Sequence, residues 1–302
     1  MKILVASSSP LAKNLLNHIK SSDHQLLGGI SSPDRASGRG QSVSSNDFAS
    51  YCQEIGVTCY KPSTNEELAD ILQKTQAELV ITLAYGRLIK TSELQIPKHG
   101  WLNVHFSLLP RWRGAAPVQR AIAAGDEQSG VTVFKLEQGL DTGPIYSTLS
   151  YPLNDRSRSD EVLKDLSSLC IQPVNQALIM IAAGEPASTQ ETEGVTLAPK
   201  ILKSEGKIDW NRDSKMLDRQ IRAFQPWPGA YTSFNGTRIE IIEARVSDAD
   251  GAVGEVISLN PLLVGTGSGS LEIIRVKPEN KREMSSSDWL RGARITLPCA
   301  FE

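Results

Sequence analysis

Three side chains within one stretch, Trp101 to Gly143, have the types and spacing that acyl transfer needs: Asn103, His105 and Asp141. An amide donor, a group that titrates near neutrality and a carboxylate together can hold a developing oxyanion and move a proton. Asn103 and His105 stand two apart in WLNVHFS, so on an extended strand they share one face. If that strand belongs to an open parallel sheet, both emerge near its carboxyl end, where such sheets place ligands. Each residue also has a structural reading. A strand-end His is often a satisfied packing residue, and an Asp beside Gly, as in GLDTG, often stabilises a turn. The chemistry rests on the three acting together.

The rest of the chain supplies a frame for such a site. KILVA at 2–6 is a continuous apolar run of the kind buried on both faces of a parallel sheet. Helical spacing near 10–20 is followed by a second run, QLLGGI, at 25–30. The polar, Gly-broken segment 31–41 reads as an exposed, mobile loop. NDFASYCQEIG is helical with Gly56 as its stop, and Thr64 with Glu67 forms a capping box. Further strands are expected at 78–86, 101–107, 130–136 and 145–152, with helices at 114–125 and roughly 158–183. This alternation predicts an α/β fold with a doubly wound, mostly parallel sheet.

The polar stretch from 184 reads as an interdomain linker. Beyond it, a helix at 213–224, an Asn235-Gly236 hairpin signal and Gly-punctuated short strands predict a smaller, OB-like C-terminal β-barrel. The organisation expected is a catalytic domain at 1–183, a linker at 184–206 and a C-terminal domain at 207–302.

Several chemistries are excluded or disfavoured. KILVA leads into SSSPLAKN, with no glycine fingerprint for a dinucleotide pyrophosphate. Cys52, Cys59, Cys170 and Cys299 lack metal-like spacing, so no metal is expected and reduced, cytoplasmic thiols are the plain reading. No run approaches the ~18 apolar residues of a membrane helix, and no membrane partner is expected. The net charge of -2 disfavours wholesale coating of nucleic acid but leaves room for a local basic face.

The motifs NVHxSLLPRWRGAAPxQ and GVTxxxLxxGLDTG resemble those of the 10-formyltetrahydrofolate-dependent formyltransferases. PDRASGRG, AYGRLI, KSEGKIDW and IRAFQPWPGA extend the resemblance over nearly the whole chain. It implies a formyl donor, 10-formyltetrahydrofolate, released as tetrahydrofolate, and an acceptor amine. The acceptor implied is the α-amino group of initiator methionyl-tRNA, in a monomeric enzyme of translation initiation. Asn103 and His105 would donate to the oxyanion, and Asp141 would raise the His105 pKa, orient its ring and help remove the amine's proton. The folate would lie against Ala84, Tyr85, Gly86, Arg87 and Leu88 on one side and Gly139 and Leu140 on the other. Ser107, Leu108, Leu109 and Pro110 would shape the same cleft, the last three chiefly by packing and fixing the chain's exit. Arg35 and Arg39 in the first loop, Arg111 and Arg113 after the central strand, and Lys200, Lys203 and Lys207 near the second domain would meet tRNA phosphates. Arg212, Lys215, Arg219 and Arg222 extend that last basic group.

Two departures stand out. Phe106 occupies a position usually held by Gly, and Ser7-Ser8-Ser9 replaces a Gly-Thr-Pro-like turn. By alternation Phe106 should point away from Asn103 and His105, altering packing beneath the site. The same three residues would also serve an enzyme that formylates an amino-sugar nucleotide. A glycinamide-ribonucleotide formyltransferase gives no reason for the C-terminal hundred residues, a formyltetrahydrofolate hydrolase would carry an extra N-terminal domain, and a non-catalytic RNA-binding protein would not need the intact trio.

Overall fold

The computed structural model describes residues 1–37 and 42–302, and Arg39 lies outside the described residues. The chain divides into two compact units. The first comprises 1–117, 128–152 and 163–198; the second comprises 118–127, 153–162 and 199–302.

The first unit is built on a mixed sheet. β1 (Lys2–Ala6) pairs in parallel with β2 (Gln25–Ile30). Between them runs α1 (Lys13–Lys20), whose Leu15, Leu16 and Ile19 are fully buried. The expected loop has ordered arms, β3 (Arg35–Ser37) and β4 (Ser42–Ser44), which pair antiparallel. Asn46 caps α2 (Asp47–Glu54) by accepting from the Ala49 N–H, and Gly56 ends it at φ 67°. A two-residue edge strand, β5 (Cys59–Tyr60), has no sequence signal of its own. Thr64 caps α3 (Asn65–Thr75), but the Glu67 carboxylate reaches back to the Ser63 N–H, one residue beyond the expected box partner.

β6 (Leu79–Thr82), the short α4 (Thr91–Leu94) and β7 (Trp101–His105) complete the parallel core. β8 (Arg113–Gly114) follows, and then α5 (Pro117–Ala124), whose residues from Val118 onward belong to the second unit. The last two strands join by antiparallel ladders, β9 (Gln128–Lys135) to β7 and β10 (Ile145–Pro152) to β9, so β9 runs against its neighbours on both sides. The order is β10-β9-β7-β6-β1-β2-β5. The chain therefore reverses its direction of travel at β1/β6, and the carboxyl ends of these two strands form the crevice that open α/β sheets use for ligands. Leu68, Leu72, Leu4, Val80 and Trp101 form one buried layer on the sheet.

The predicted helix at 158–183 is two helices, α6 (Ser159–Leu169) and α7 (Ile171–Ala183), meeting at buried Cys170. By length and composition alone the stretch Ser159–Ala183 could cross a membrane, contrary to the expectation that no run is long enough. Val174, Ala177, Leu178 and Ile181 are buried, and α7 packs on β9 and β10, as a core helix does.

The stretch read as a linker belongs to the first unit as far as Ala198, and its last residues, Lys203–Gly206, form a 3-10 turn in the second. Ser188 bridges Ile145, and β11 (Leu197–Ala198) pairs in parallel with β8.

In the second unit Asp213 caps α8 (Ser214–Ala223) through the Lys215 N–H. β12 (Ala230–Phe234) and β13 (Thr237–Ser247) form the expected hairpin, with Asn235 and Gly236 both at positive φ. β14 (Val256–Leu259), β15 (Leu262–Gly265) and β16 (Ser270–Pro278) continue the antiparallel sheet. β17 (Met284–Ser285) adds to β16 and leads into α9 (Ser286–Ala293). The barrel reading needs one amendment. The ladder order is β12-β13-β16-β15-β14, and residues 299–302 bridge its two ends. The Val256 N–H donates to the Cys299 carbonyl, the Phe301 N–H to Gly254, and the Glu302 N–H to Ser233.

Candidate active site

Asn103 and His105 sit on one face of β7, opposite Phe134 and Thr132 of β9. β7 is apolar elsewhere (Trp101, Leu102, Val104), and that is what buries it in mid-sheet. The Thr82 hydroxyl, at the end of β6, donates to the Asn103 side-chain oxygen at 2.7 Å. With its oxygen engaged, the Asn103 amide has its NH2 group as the remaining polar function, and that group is a donor only.

His105 is 5% exposed. Its Nε2 lies 2.9 Å from the Trp112 carbonyl, which can only accept, so Nε2 carries the hydrogen. In the neutral ring Nδ1 then bears the lone pair, and it faces Asp141 Oδ2 at 3.7 Å. Burial pushes the His105 pKa below its ordinary value, opposed by the Asp141 charge and the bond to Trp112. The expectation that Asp141 raises this pKa holds for Asp141's own contribution, but desolvation outweighs it and the ring is neutral near pH 7.

Asp141 is held from two sides. Its φ is 50°, in the left-handed region. Oδ2 accepts from the Gly114 N–H at 2.7 Å, and its backbone carbonyl accepts from Gln190 Nε2 at 2.8 Å. The turn that carries it closes tightly: the Lys135 N–H donates to the Pro144 carbonyl, and the Lys135 carbonyl occupies the place a Gly143 side chain would need. Gly114 is also required by space, since its φ is 129° and a Cβ there would stand 2.6 Å from the Ala198 carbonyl. The structure thus brings Asn103, His105 and Asp141 together. It adds Thr82, Trp112, Gly114 and Gln190, which the sequence reading missed. Of these only Thr82 leaves a trace, as the one polar residue closing an otherwise apolar strand, LVIT.

Two family profiles match the chain: Formyl transferase over residues 1–169, and Formyl transferase, C-terminal domain, over 200–294. The chain belongs to the formyltransferase family. Among curated relatives, the methionyl-tRNA formyltransferase of Cutibacterium acnes is 36% identical over 98% of this chain and 98% of that protein. That of Jannaschia sp. is 36% identical over the full length of both. Solved structures share the fold at lower identity. Methionyl-tRNA formyltransferase from Clostridium thermocellum aligns at TM-score 0.60 and 17% identity, covering 83% of this chain and 95% of that one. HypX from Aquifex aeolicus, solved in complex with tetrahydrofolic acid, aligns at 0.67 and 16%; the alignment covers 96% of this chain but only 46% of HypX.

Within this formyltransferase fold the other expected site residues divide into rim and scaffold. Leu88 is 83% and Leu140 60% exposed, so both loops expected to flank the folate carry an apolar side chain in solvent. Ala84 adopts φ 51°, its carbonyl accepts from the Ser8 N–H, and the Tyr85 carbonyl accepts from the Ser8 hydroxyl. Ser8 also bonds Ser32, so the serine turn ties together the carboxyl ends of β1, β2 and β6. Tyr85 is buried, and among the described residues its hydroxyl has no hydrogen-bond partner. Arg87 donates to the Pro62 carbonyl and to Asn65. Gly86 and Gly139 have exposed backbone.

The 107–110 segment is scaffold. The Ser107 hydroxyl donates to the Arg111 carbonyl, Thr132 bonds both the Ser107 carbonyl and the Leu109 N–H, and Leu109 is buried before Pro110. Phe106 is buried one position beyond β7.

The basic residues also differ in availability. Arg35, Arg111, Lys200, Lys203, Lys207, Arg212 and Lys215 are exposed. Arg113 is engaged with Gln190 through Nε and Nη2, at 3.2 and 2.6 Å. Arg222 is committed to Asp218 and the Ser157 carbonyl, and Arg219 reaches the Ala124 carbonyl. Among the described residues no group of three or more His, Cys, Asp or Glu side chains is placed to hold a metal ion.

Proposed function

We propose that this formyltransferase moves the formyl group of 10-formyltetrahydrofolate to the α-amino group of initiator methionyl-tRNA, with Asn103, His105 and Asp141 as the catalytic residues. The observation that carries the reading is the oriented amide of Asn103 beside the His105–Asp141 pair, at the carboxyl end of β7. Full-length identity to methionyl-tRNA formyltransferases supplies the acceptor.

In the reaction the amine nitrogen bonds to the formyl carbon, the carbonyl electrons move onto oxygen, and the bond to the folate nitrogen then breaks. Asn103, its own oxygen occupied by Thr82, donates from Nδ2 to the developing oxyanion. The His105 Nε2–H is engaged by Trp112, so the ring works through Nδ1. It takes the proton the amine loses, and the Asp141 carboxylate stabilises the imidazolium so formed. The same proton returns to the departing folate nitrogen, and no proton is gained or lost overall.

Exposed Leu88 and Leu140 fit an apolar ring system, and the exposed backbone of Gly86 fits the hydrogen-bonding edge of a pterin. Exposed Lys200, Lys203, Lys207 and Arg35 fit a polyanionic acceptor. The deciding assay supplies labelled formyl donor with methionyl-tRNA or, separately, an amino-sugar nucleotide. Label on methionyl-tRNA supports the reading; label on the sugar amine alone overturns the acceptor.

A further inference from the structure

Gln190 lies in GEPASTQETEG, a polar stretch with the composition of a linker, yet it is 7% exposed and makes four hydrogen bonds. Oε1 accepts from Arg113 Nε at 3.2 Å and Nη2 at 2.6 Å. Nε2 donates to the Asp141 carbonyl at 2.8 Å and the Gly143 carbonyl at 2.7 Å. Both faces of the amide are saturated, two bonds accepted and two donated.

We infer that Gln190 is the positioning residue of the active site: its NH2 group clamps the 141–143 turn so that the Asp141 carboxylate stays on the Gly114 N–H and beside His105. The geometry explains why an amide stands here. The turn offers two carbonyls and needs a double donor, while Arg113 needs an acceptor. Only Asn and Gln side chains carry both, and Gln has the greater reach. A carboxylate would suit Arg113 better but would set its oxygens against two carbonyls. The clamp is anchored independently of the turn. Ser188 and Ile145 exchange backbone bonds at 2.7 and 2.9 Å, and Thr196 and Ala198 bond Trp112, Arg113, Ala115 and Ala116. Gln190 is thus tied on one side to the start of β10 and on the other to β8, whose Gly114 holds the Asp141 carboxylate. Asp141 sits at positive φ, a conformation that Asp tolerates better than most non-glycine residues and that the two bonds from Gln190 fix in place.

The inference rests on the formyl-transfer reading, and its test separates the two. Single-turnover transfer to methionyl-tRNA is measured for wild type, Gln190→Leu, Gln190→Glu, Asp141→Asn and Gln190→Leu/Asp141→Asn. Buried hydrogen bonds of this number set the scale of a tenfold or greater loss for Gln190→Leu. Gln190→Glu should lose as much, with KM for the folate within about twofold of wild type. In the Asp141→Asn background Gln190→Leu should add nothing, because it acts through that carboxylate. Retention of wild-type rate by Gln190→Glu would show that anchoring Arg113 is the role, and an undiminished loss in the double variant would show general destabilisation; either overturns the inference. A second readout needs no acceptor. The 15N titration of His105 should move down in Gln190→Met, as in Asp141→Asn, since the carboxylate that favours the protonated ring has moved away. An unmoved midpoint overturns the clamp even if wild type fails to formylate methionyl-tRNA, an outcome that would count against the functional reading alone.

Discussion

Asn103 is useful because Thr82 narrows its ambiguity. An amide free to turn would present its oxygen to the oxyanion half the time, and the 2.7 Å bond from Thr82, whose proton is shared with the Leu102 carbonyl at 3.1 Å, weighs against that. Asn103→Ala should slow turnover about a hundredfold or more, the usual cost of an oxyanion donor. Thr82→Val, nearly isosteric, should cost about five- to tenfold in kcat, the worth of one buried hydrogen bond, with folate KM unchanged. Equal kcat for Thr82→Val and wild type would separate Thr82 from catalysis. The acid limb of kcat/KM should have its midpoint below pH 6.5, because neutral His105 is the working form and burial lowers its pKa. The same shift sets a stability trend. Below about pH 6.5 the unfolded chain takes up a proton that the folded ring resists, so stability present above that pH is lost as pH falls. Wild type should therefore lose more of its urea midpoint between pH 7.5 and 5.5 than His105→Gln.

At the scale of elements, the β8–β11 pair is what turns loops into a site. Gly114→Ala would force a Cβ onto the Ala198 carbonyl at a φ that L-residues avoid, separating the strands and moving the N–H that holds Asp141. A loss of about 1–3 kcal/mol in denaturant unfolding, together with a fall in kcat, is the expected outcome; an unchanged urea midpoint would show that the pair can yield at no cost. This pair also marks where the sequence stops being legible. β1, β6 and β7 are readable because a strand buried on both faces is an unbroken apolar run, and Asn103 and His105 interrupt that run at a period of two. The reversed sense of β9 is not readable, because a strand buried on both faces leaves the same pattern in either direction. Gln190 is hidden for a different reason. Its partners lie 47 to 77 positions away, and a single buried amide among small polar residues breaks no period. The Asn235-Gly236 hairpin was legible from turn chemistry, whereas the bridging by residues 299–302 follows no local rule.

For the molecule as a whole, charge is distributed rather than extreme. The net value is -2, yet Lys200, Lys203 and Lys207 are exposed within eight positions of sequence. Affinity for methionyl-tRNA should therefore fall steeply as salt rises, and affinity for the folate should not. Replacing these three lysines by Gln should flatten the first slope and leave the second alone; parallel slopes before and after would remove them from the acceptor surface. The two units are also interleaved along the chain. Residues 118–127 belong with a unit otherwise built mainly from 199 onward: Arg120 pairs with Glu205 and bonds the Pro199 carbonyl, and the Gly125 backbone lies against the Arg219 guanidinium. On the ribosome this orders events in time. The segment 118–127 emerges well before the partners it is made for, and residues 128–152 must be drawn into the first unit while it waits. Chains that end at residue 198 would hold the first unit's full set of strands and a helix whose partners, Pro199, Glu205 and Arg219, are still to be made.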